Sequence, residues 1–299
     1  MSGGSVTWQE IKAPYDRAYV TEVDAIDEAN SILQGMSPST PHAVARTYAK
    51  FASEMDAVAC SNIFNSVDAG NVYTDTKLPL DKANILATLN RIDTMMLENQ
   101  WDEDYFVWMS SDVYNTLTDA LIEKNALANQ LTTREITVAA RDIGSHEDVN
   151  GLAVTLSVYK YLQHMNIVVV PKDRMYTDIV LYDGKSEGQK DGGWAPDDGA
   201  KAVKLLVAPL DAVAIGIRHV VANMTVPFVF QNLITSNIDK ELETLSDIYH
   251  GAVQVNNIGI NQTADRIKFM GRTLYGVATF NALKKTLLAV TETPAGVGG

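Results

Sequence analysis

Cysteine is almost absent, since Cys60 is the single cysteine among 299 residues. An intramolecular disulfide and a cysteine-rich metal site are therefore excluded, and this usage is typical of a reducing compartment. Long apolar runs are missing too, because no stretch approaches the roughly 18 apolar residues of a membrane-spanning helix. The N-terminal residues lack the basic region and apolar core of a secretory signal. We expect a protein that neither spans a membrane nor is secreted.

Positive charge is also in short supply. The chain has 24 lysines and arginines against 37 aspartates and glutamates, which gives a formal net charge of -13. General nucleic-acid binding needs a basic face that replaces counterions along the phosphates, so this balance argues against it. An acidic surface keeps a protein soluble and repels DNA. The 46% of hydrophobic residues is globular composition.

Recognisable catalytic and ligand-binding motifs are missing as well. The sequence has no phosphate-binding glycine loop, dinucleotide fingerprint, zinc-protease motif, nucleophile elbow or calcium loop. His146, Glu147 and Asp148 are adjacent, but neighbours on a turn rarely converge on one point. His219 is interpreted as a half-buried strand residue, and Cys60 as a small core residue. We expect no catalytic residue, no cofactor and no metal site.

What the sequence does contain is a long amphipathic helix near its start. Apolar residues recur at steps of four and three within residues 40–65, which predicts one apolar stripe. Such a helix measures about 39 Å at about 1.5 Å per residue, well above the average length. The stripe consists of Val44, Tyr48, Phe51, Met55 and Val58.

A unit of helix, strand and helix follows the long helix. Residues 85–99 show helical spacing, and residues 105–109 form an apolar run that predicts a strand buried on both faces. Ser110, Ser111 and Asp112 supply the cap of a third helix. Further strands are predicted at 152–154, 167–170, 179–182 and 204–208, with a turn at Asn150-Gly151. A short helix is predicted at 211–215, extended chain after residue 219, and an irregular arm with some helix over 1–38.

Residues 183–199 form a glycine-rich segment with five glycines and one tryptophan, Trp194. A connection of this length inside a domain is unusual and is often functional. A tryptophan among glycines, lysines and aspartates is costly to leave in water. Two interpretations stay open: Trp194 packs onto its own domain, or it anchors on a neighbouring subunit.

The order of these segments resembles the major capsid proteins of tailed phages, which have the Hong Kong 97-type fold. Residues 39–70 resemble the spine helix and its glycine-containing exit, and residues 78–121 resemble the start of the axial domain. The segment VNGLAVTLS, residues 149–157, is similar to a turn and strand of the family. Residues 204–217 resemble a strand and short helix near the end of that domain, and residues 247–260 a returning strand.

The resemblance implies an α+β fold, a Hong Kong 97-like capsid fold with a long spine helix, a peripheral domain and an α/β axial domain. Residues 1–38 would be an N-terminal arm and short extended loop, and 39–79 the spine helix and first part of the peripheral domain. Residues 80–219 would be the axial domain, and 220–299 the returning peripheral strands and C-terminal tail. The short arm and the tail beyond Asn261 depart from the family pattern.

The resemblance also implies a function: a coat protein, not an enzyme, that self-assembles through hexamers and pentamers into the icosahedral head of a double-stranded DNA phage. A separate scaffolding protein and a portal are implied partners, and the shell would enclose DNA without binding it specifically. Assembly would occur in the bacterial host cytoplasm and the protein would reside in the virion. Gly184, Gly188, Gly192 and Trp194 are the predicted inter-subunit contact.

Two alternatives stay open. One is an encapsulin-like nanocompartment shell of the same fold, which would need a surface that docks a cargo protein. The other is an α/β enzyme whose site is assembled from scattered residues such as His146, Asp148 and His219.

Overall fold

The computed structural model describes residues 14–24, 39–99, 101, 103–124, 131–142, 148–182, 193–209, 212–218, 223–227, 254–261 and 266–293. The three predicted helices are all present in these residues. Helix α1 spans Ser39–Ser66, 28 residues, which is about 42 Å at about 1.5 Å per residue. Helix α2 spans Ile85–Glu98, and α3 spans Ser111–Glu123 directly after its N-cap residue Ser110. None of these helices has the length and apolar character needed to cross a bilayer.

The strands form one large mixed sheet and one small hairpin. The large sheet has 12 strands in the order β1-β13-β10-β11-β4-β5-β6-β3-β9-β14-β2, with β12 also paired to β13, and β7 pairs with β8 apart from it. The strands are β1 Tyr15–Asp24, β2 Val72–Thr74, β3 Tyr105–Ser110, β4 Leu131–Asp142, β5 Asp148–Tyr161, β6 Met165–Val170, β7 Ile179–Leu181, β8 Trp194–Pro196, β9 Val203–Pro209, β10 Val213–Arg218, β11 Asn223–Pro227, β12 Gln254–Asn261, β13 Arg266–Thr279 and β14 Leu288–Thr291.

Strand β3 lies inside the large sheet. Its residues 105–109 are buried as predicted, and Ser110 is buried as well. The strand runs parallel to β6 and antiparallel to β9. Because successive side chains of a strand point to opposite faces, β3 contributes to two separate cores. Phe106 and Trp108 join the core beneath α1, whereas Tyr105, Val107 and Met109 join the core beneath α2 and α3. The sheet is therefore covered by helices on both faces.

The alternation continues through the neighbouring strands. In β9, Leu206 and Ala208 face the α1 core, and Leu205 and Val207 face the other core. Helix α2 buries residues at helical spacing, and α3 does the same, as their sequences predicted. These buried residues are Ile85, Leu89, Ile92 and Met96 in α2, and Val113, Leu117, Ala120 and Leu121 in α3.

The short helix predicted at 211–215 is wrong. Val213–Arg218 is strand β10, which pairs antiparallel with β11 on one side and β13 on the other. Val213, Ile215 and Ile217 are β-branched and alternate along this segment. Such residues fit the pleated surface of a sheet better than a helix, and two strand neighbours satisfy the backbone here.

The turn predicted at Asn150-Gly151 is also wrong, because both residues lie inside β5. The pairing of β5 with β4 is irregular at this point: Ala139 pairs with Ala153, but Arg141 pairs with Asp148. Extra residues on one strand form a bulge, and glycine is common at such positions. The Asn-Gly signal therefore marks an irregular point within a long strand.

The N-terminal arm is more regular than predicted. Residues 15–24 form strand β1, and ten residues pair with β13 from Tyr15↔Tyr275 to Asp24↔Arg266. Val23, predicted on a helix, lies in this strand. The rest of the predicted arm helix lies outside the described residues. The tail beyond Asn261, which has no counterpart in the family resemblance, supplies the partner strand β13 and also β14.

Strand β7 lies within the strand predicted at 179–182 but is not buried. All three of its residues are partly exposed, with Val180 at 37%. It pairs with β8 and does not join the large sheet. The large sheet itself takes strands from each of the four predicted ranges, 1–38, 39–79, 80–219 and 220–299. The division into axial and peripheral domains stays a prediction.

Candidate functional site at the neck of the glycine-rich segment

The glycine-rich segment, which contains the predicted inter-subunit contact, is described where the chain enters it, at Tyr182, and where it ends, from Gly193 onward. Gly184, Gly188 and Gly192 lie outside the described residues, whereas Trp194 is the first residue of β8. Leu181 pairs with Trp194, and the backbone N–H of Tyr182 donates to the carbonyl oxygen of Gly193 at 2.7 Å. We call Tyr182, Gly193 and Trp194 the neck. The ends of segment 183–192 are thus joined by a hairpin.

Arg17 of β1 holds both sides of the neck. Its Nη2 donates to the carbonyl oxygen of Tyr182 at 2.8 Å and to that of Gly193 at 3.2 Å. Its Nε donates to Oε1 of Glu54 in α1 at 2.8 Å. The guanidinium therefore connects the first strand, the longest helix and the neck. Its planar donor fork suits this arrangement, in which several acceptors lie in fixed directions.

Glu54 is the buried anion at the centre of this cluster, with a side chain that is 0% exposed against 11% for Arg17. Besides Arg17, its carboxylate accepts hydrogen bonds from the hydroxyl of Tyr275 at 2.9 Å and from the hydroxyl of Tyr19. A buried charge is tolerated only when it is paired and hydrogen-bonded. Three donors from β1 and β13 meet that requirement.

The electrostatics of the cluster keep all three donors protonated. Burial opposes the charge on Arg17, but the hydrogen bond and charge of Glu54 outweigh it and raise the pKa of Arg17 above its ordinary value. Burial, assisted by the negative charge of Glu54, raises the pKa of Tyr19 and of Tyr275 far above the ordinary tyrosine value. A charged arginine and two neutral tyrosines are the forms that can donate to a carboxylate.

Helix α1 also makes polar contacts with the chain segments before and after the neck. Asp56, which is 0% exposed in its side chain, pairs with Nη1 of Arg174 at 2.9 Å, ahead of β7. The Ser61 hydroxyl donates to the carbonyl oxygen of Thr177 at 3.0 Å. After the neck, Nε1 of Trp194 donates to Oγ of Ser53 at 3.3 Å. The β7–β8 hairpin therefore rests on α1 through polar contacts on both strands.

A tight turn completes the return of the chain toward β9. The N–H of Ala200 donates to the carbonyl oxygen of Asp197 at 3.0 Å, and Gly199 has φ +85°. A positive φ at the third position of such a turn favours glycine, which has no Cβ to clash. Asp197 and Asp198 in this turn are exposed.

Trp194 is partly buried against its own chain, through its contact with Ser53. Of the two interpretations from the sequence, packing onto its own chain is therefore observed. The inter-subunit role of the glycine-rich segment stays a prediction. The indole leaves part of its surface exposed, so contact with its own helix and contact with a neighbour are compatible.

The residues of the enzyme alternative are not brought together in the described part of the chain. His146 and His219 lie outside the described residues, and Asp148 begins β5. Within the described residues, no group of three or more His, Cys, Asp or Glu side chains could hold a metal ion. Cys60 is fully buried in α1, as predicted for a core residue, and burial raises the pKa of its thiol.

Sequence reasoning missed Arg17, Tyr19 and Glu54. Two signals could have found them. Tyr15, Arg17 and Tyr19 alternate, so they share one face of a strand. Glu54 lies directly before Met55 of the predicted apolar stripe, where a charge needs a partner from elsewhere in the chain.

Comparison with solved structures finds phage proteins. The chain is similar to a structure from Mycobacterium phage Che8, with TM-score 0.47, 10% identity, and 97% of this chain and 76% of that one covered. It is similar to the capsid structure of cyanophage P-SCSP1u, with TM-score 0.48, 12% identity and coverage of 98% and 79%. For the asymmetric unit of the bacteriophage PhiM1 mature capsid, the values are 0.43, 12%, 98% and 78%.

These three solved structures are phage structures, as the sequence resemblance predicted, and two of them are capsid structures. No family model and no curated protein sequence matches the chain.

Proposed function

We propose that this chain is the major capsid protein of a tailed double-stranded DNA phage. The observation that carries the proposal is the supported neck. The segment predicted to contact a neighbouring subunit starts and ends on a hairpin that is bound to the longest helix and to β1. The sequence resemblance over residues 39–260 supports the same function.

A supported neck suits a shell subunit because assembly needs contacts with a defined direction. Identical subunits form closed rings only when each heterologous contact has the same geometry. For such a contact to repeat from subunit to subunit, the two ends of the contacting segment must stay fixed. Here Tyr182 and Gly193 are fixed to each other and to Arg17, which is itself paired with Glu54.

In this proposal α1 is the spine helix of a Hong Kong 97-like fold. Residues 80–219 form the axial domain near the capsomer axes, and residues 39–79 and 220–299 form the peripheral domain. The subunits assemble into hexamers and pentamers of an icosahedral head, with a separate scaffolding protein and a portal. The net charge of -13 suits an inner wall that encloses DNA without holding it. Assembly takes place in the host cytoplasm, and the product is the virion.

The test is expression of the full chain with and without its candidate scaffold, followed by size-exclusion chromatography and negative-stain electron microscopy. Closed polyhedral shells or capsomer rings are expected, and a scaffold requirement separates a phage head from an encapsulin-like shell. A small oligomer under both conditions would overturn the proposal and favour the enzyme alternative. Self-assembly without scaffold, with a cargo protein co-purifying, would favour the nanocompartment.

A second experiment uses a variant to test the glycine-rich segment itself. Residues 184–191 are replaced by a short Gly-Ser linker, which leaves Tyr182, Gly193 and Trp194 in place. The subunit should keep its circular dichroism spectrum and its urea midpoint, while particle formation is lost or altered. A linker of the same kind in residues 125–130 is the matched control for shortening a connection. Normal particles from the 184–191 variant would reject the inter-subunit role of this segment.

A further inference from the structure

We infer that Arg17 is a positioning residue that couples the docking of strand β1 to the geometry of the neck. Its guanidinium reaches the backbone carbonyls at the two ends of segment 183–192 and, at the same time, the buried carboxylate of Glu54. The inference goes beyond the capsid proposal, because the coupling is a property of the folded subunit. It bears on assembly only if that proposal holds.

The first step of the argument is where the two carbonyls lie. Tyr182 follows β7 and Gly193 precedes β8, so they belong to opposite strands of the hairpin. The distances of 2.8 Å and 3.2 Å from one nitrogen, Nη2, mean that a single atom holds both strands. Hydrogen bonds from a charged donor are about twice as strong as neutral ones. The spacing of the strands at the neck therefore depends on Arg17.

The second step is what fixes Arg17. The β1 backbone pairs with β13, with Arg17 opposite Thr273. On either side of Arg17, Tyr15 contacts the Tyr275 ring at a centroid distance of 5.2 Å, and Tyr19 meets Phe51 of α1 edge-on at 4.6 Å. The arginine therefore approaches the neck from a docked strand with aromatic contacts on both sides.

The third step is cooperativity. If β1 leaves the sheet, Glu54 loses its partners Arg17 and Tyr19 together, and a buried carboxylate without a cation is strongly unfavourable. Undocking of β1 and loosening of the neck are therefore one event. A binding partner that draws β1 away would change the neck, and a partner that holds the neck would favour docked β1, because such coupling is reciprocal.

The test is Arg17→Lys in the full-length soluble subunit, followed by hydrogen–deuterium exchange with mass spectrometry. Lysine keeps the positive charge beside Glu54 but lacks the planar fork that reaches both carbonyls. Loss of a charge-assisted hydrogen bond should raise exchange in peptides covering residues 178–182 and 193–197 by about tenfold. Exchange in peptides of α2 and α3 should stay at the wild-type rate.

Two variants serve as controls. Arg134→Lys alters an arginine whose ion pair with Asp104 is exposed and away from the neck, so neck exchange should not change. Tyr275→Phe removes a donor to Glu54 but leaves the bonds from Arg17 to both carbonyls, so any loss of stability should spare the neck peptides. If Arg17 only stabilised the fold through Glu54, Tyr275→Phe and Arg17→Lys would change neck exchange in the same way.

A double variant, Arg17→Met with Glu54→Gln, covers the case in which Arg17→Lys does not fold. It leaves no unpaired buried charge while it removes the donor to both carbonyls. The same rise in neck exchange is expected. Wild-type exchange at the neck, or a rise shared equally by the whole chain, would overturn the inference whatever the particles show. Failure of the wild-type chain to assemble would overturn the capsid proposal and leave the coupling intact.

Discussion

The two faces of the large sheet are built differently. The face under α2 and α3 is filled by apolar side chains, and its ion pairs, such as Lys204–Asp112, lie at the partly exposed margin. The face under α1 has an apolar core too, but it also encloses the fully buried carboxylates of Glu54 and Asp56. Each of these carboxylates is paired with an arginine from another part of the chain.

This difference suggests that the two faces have different roles: one stabilises the fold, and the other fixes the positions of strand β1 and the β7–β8 hairpin. Apolar packing stabilises a fold without selecting one exact arrangement of loops, whereas a buried ion pair adds little net stability because desolvation offsets the attraction. It is strongly unfavourable only when one partner is removed. Our hypothesis is that Glu54 and Asp56 are present because they define where β1 and the β7–β8 hairpin lie. The predictions below test this contrast.

The largest effect is expected for Glu54→Ala. The substitution leaves Arg17, which is only 11% exposed, without its anion, and the hydroxyls of Tyr19 and Tyr275 without their acceptor. Removing one partner of a buried pair costs about 4 kcal/mol. Urea unfolding followed by circular dichroism measures the loss. Glu123→Ala, which breaks the exposed pair with Lys82, is the control and should leave the midpoint unchanged.

A somewhat smaller loss is expected for Leu89→Ala on the opposite face. Leu89 is 0% exposed on the buried face of α2, and its truncation leaves a cavity that costs about 3 kcal/mol. The informative result is a second measurement. In Leu89→Ala, hydrogen exchange at the neck should rise only as much as exchange in the rest of the chain. In Glu54→Ala, exchange at the neck should rise more than exchange in the rest of the chain. Equal behaviour of the two variants would remove the distinction between the faces.

The same contrast explains what could be predicted from the sequence. The helices α1, α2 and α3 and strand β3 are local patterns, because helical spacing and a continuous apolar run are visible within a dozen residues. The cluster at the neck is not local. Arg17 and Glu54 are 37 residues apart, and Tyr275 is 221 residues from Glu54. No spacing rule connects such positions. The pairing of β1 with β13, together with the packing of α1 on these two strands, brings them together.

The errors have the same cause. The helix predicted at 211–215 is strand β10 because two neighbouring strands, one of them from residues 266–279, decide its conformation. The Asn-Gly pair at 150–151 is a turn signal in isolation but lies within β5 opposite β4. In both cases the sheet decides the conformation: β10 has a strand neighbour on each side, and Asn150-Gly151 lie inside a strand that pairs with β4 before and after them.

A loss of about 1 kcal/mol is expected for Gly199→Ala, because φ +85° is unfavourable for a residue with a Cβ. Gly199 lies in the turn after β8, so the substitution tests how much this turn contributes to the stability of the β7–β8 hairpin that packs on α1. Gly70→Ala is the matched control, since Gly70 has no positive φ and its added Cβ meets no atom within 4 Å. Thermal unfolding of both variants should separate them, and equal melting temperatures would show that the turn adapts at no cost.

The smallest effect is expected for Asp112→Asn at the margin of the other face. Partial burial works to raise the pKa of Asp112, but the hydrogen bond from Lys204 and its positive charge outweigh burial, so the pKa lies below its ordinary value. A lowered folded-state pKa contributes stability above the unfolded pKa of about 3.9, and this contribution is lost as the pH falls through the folded value.

The difference in unfolding free energy between wild type and Asp112→Asn should therefore be present near about pH 6 and shrink toward about pH 3. It should stay below about 1 kcal/mol, because solvent screens a side chain that is 40% exposed. Urea titrations at several pH values measure it, with Lys204→Met as the partner variant that should remove most of the same pH dependence. A large effect at this exposed pair would mean that marginal charges, and not only buried ones, organise this subunit.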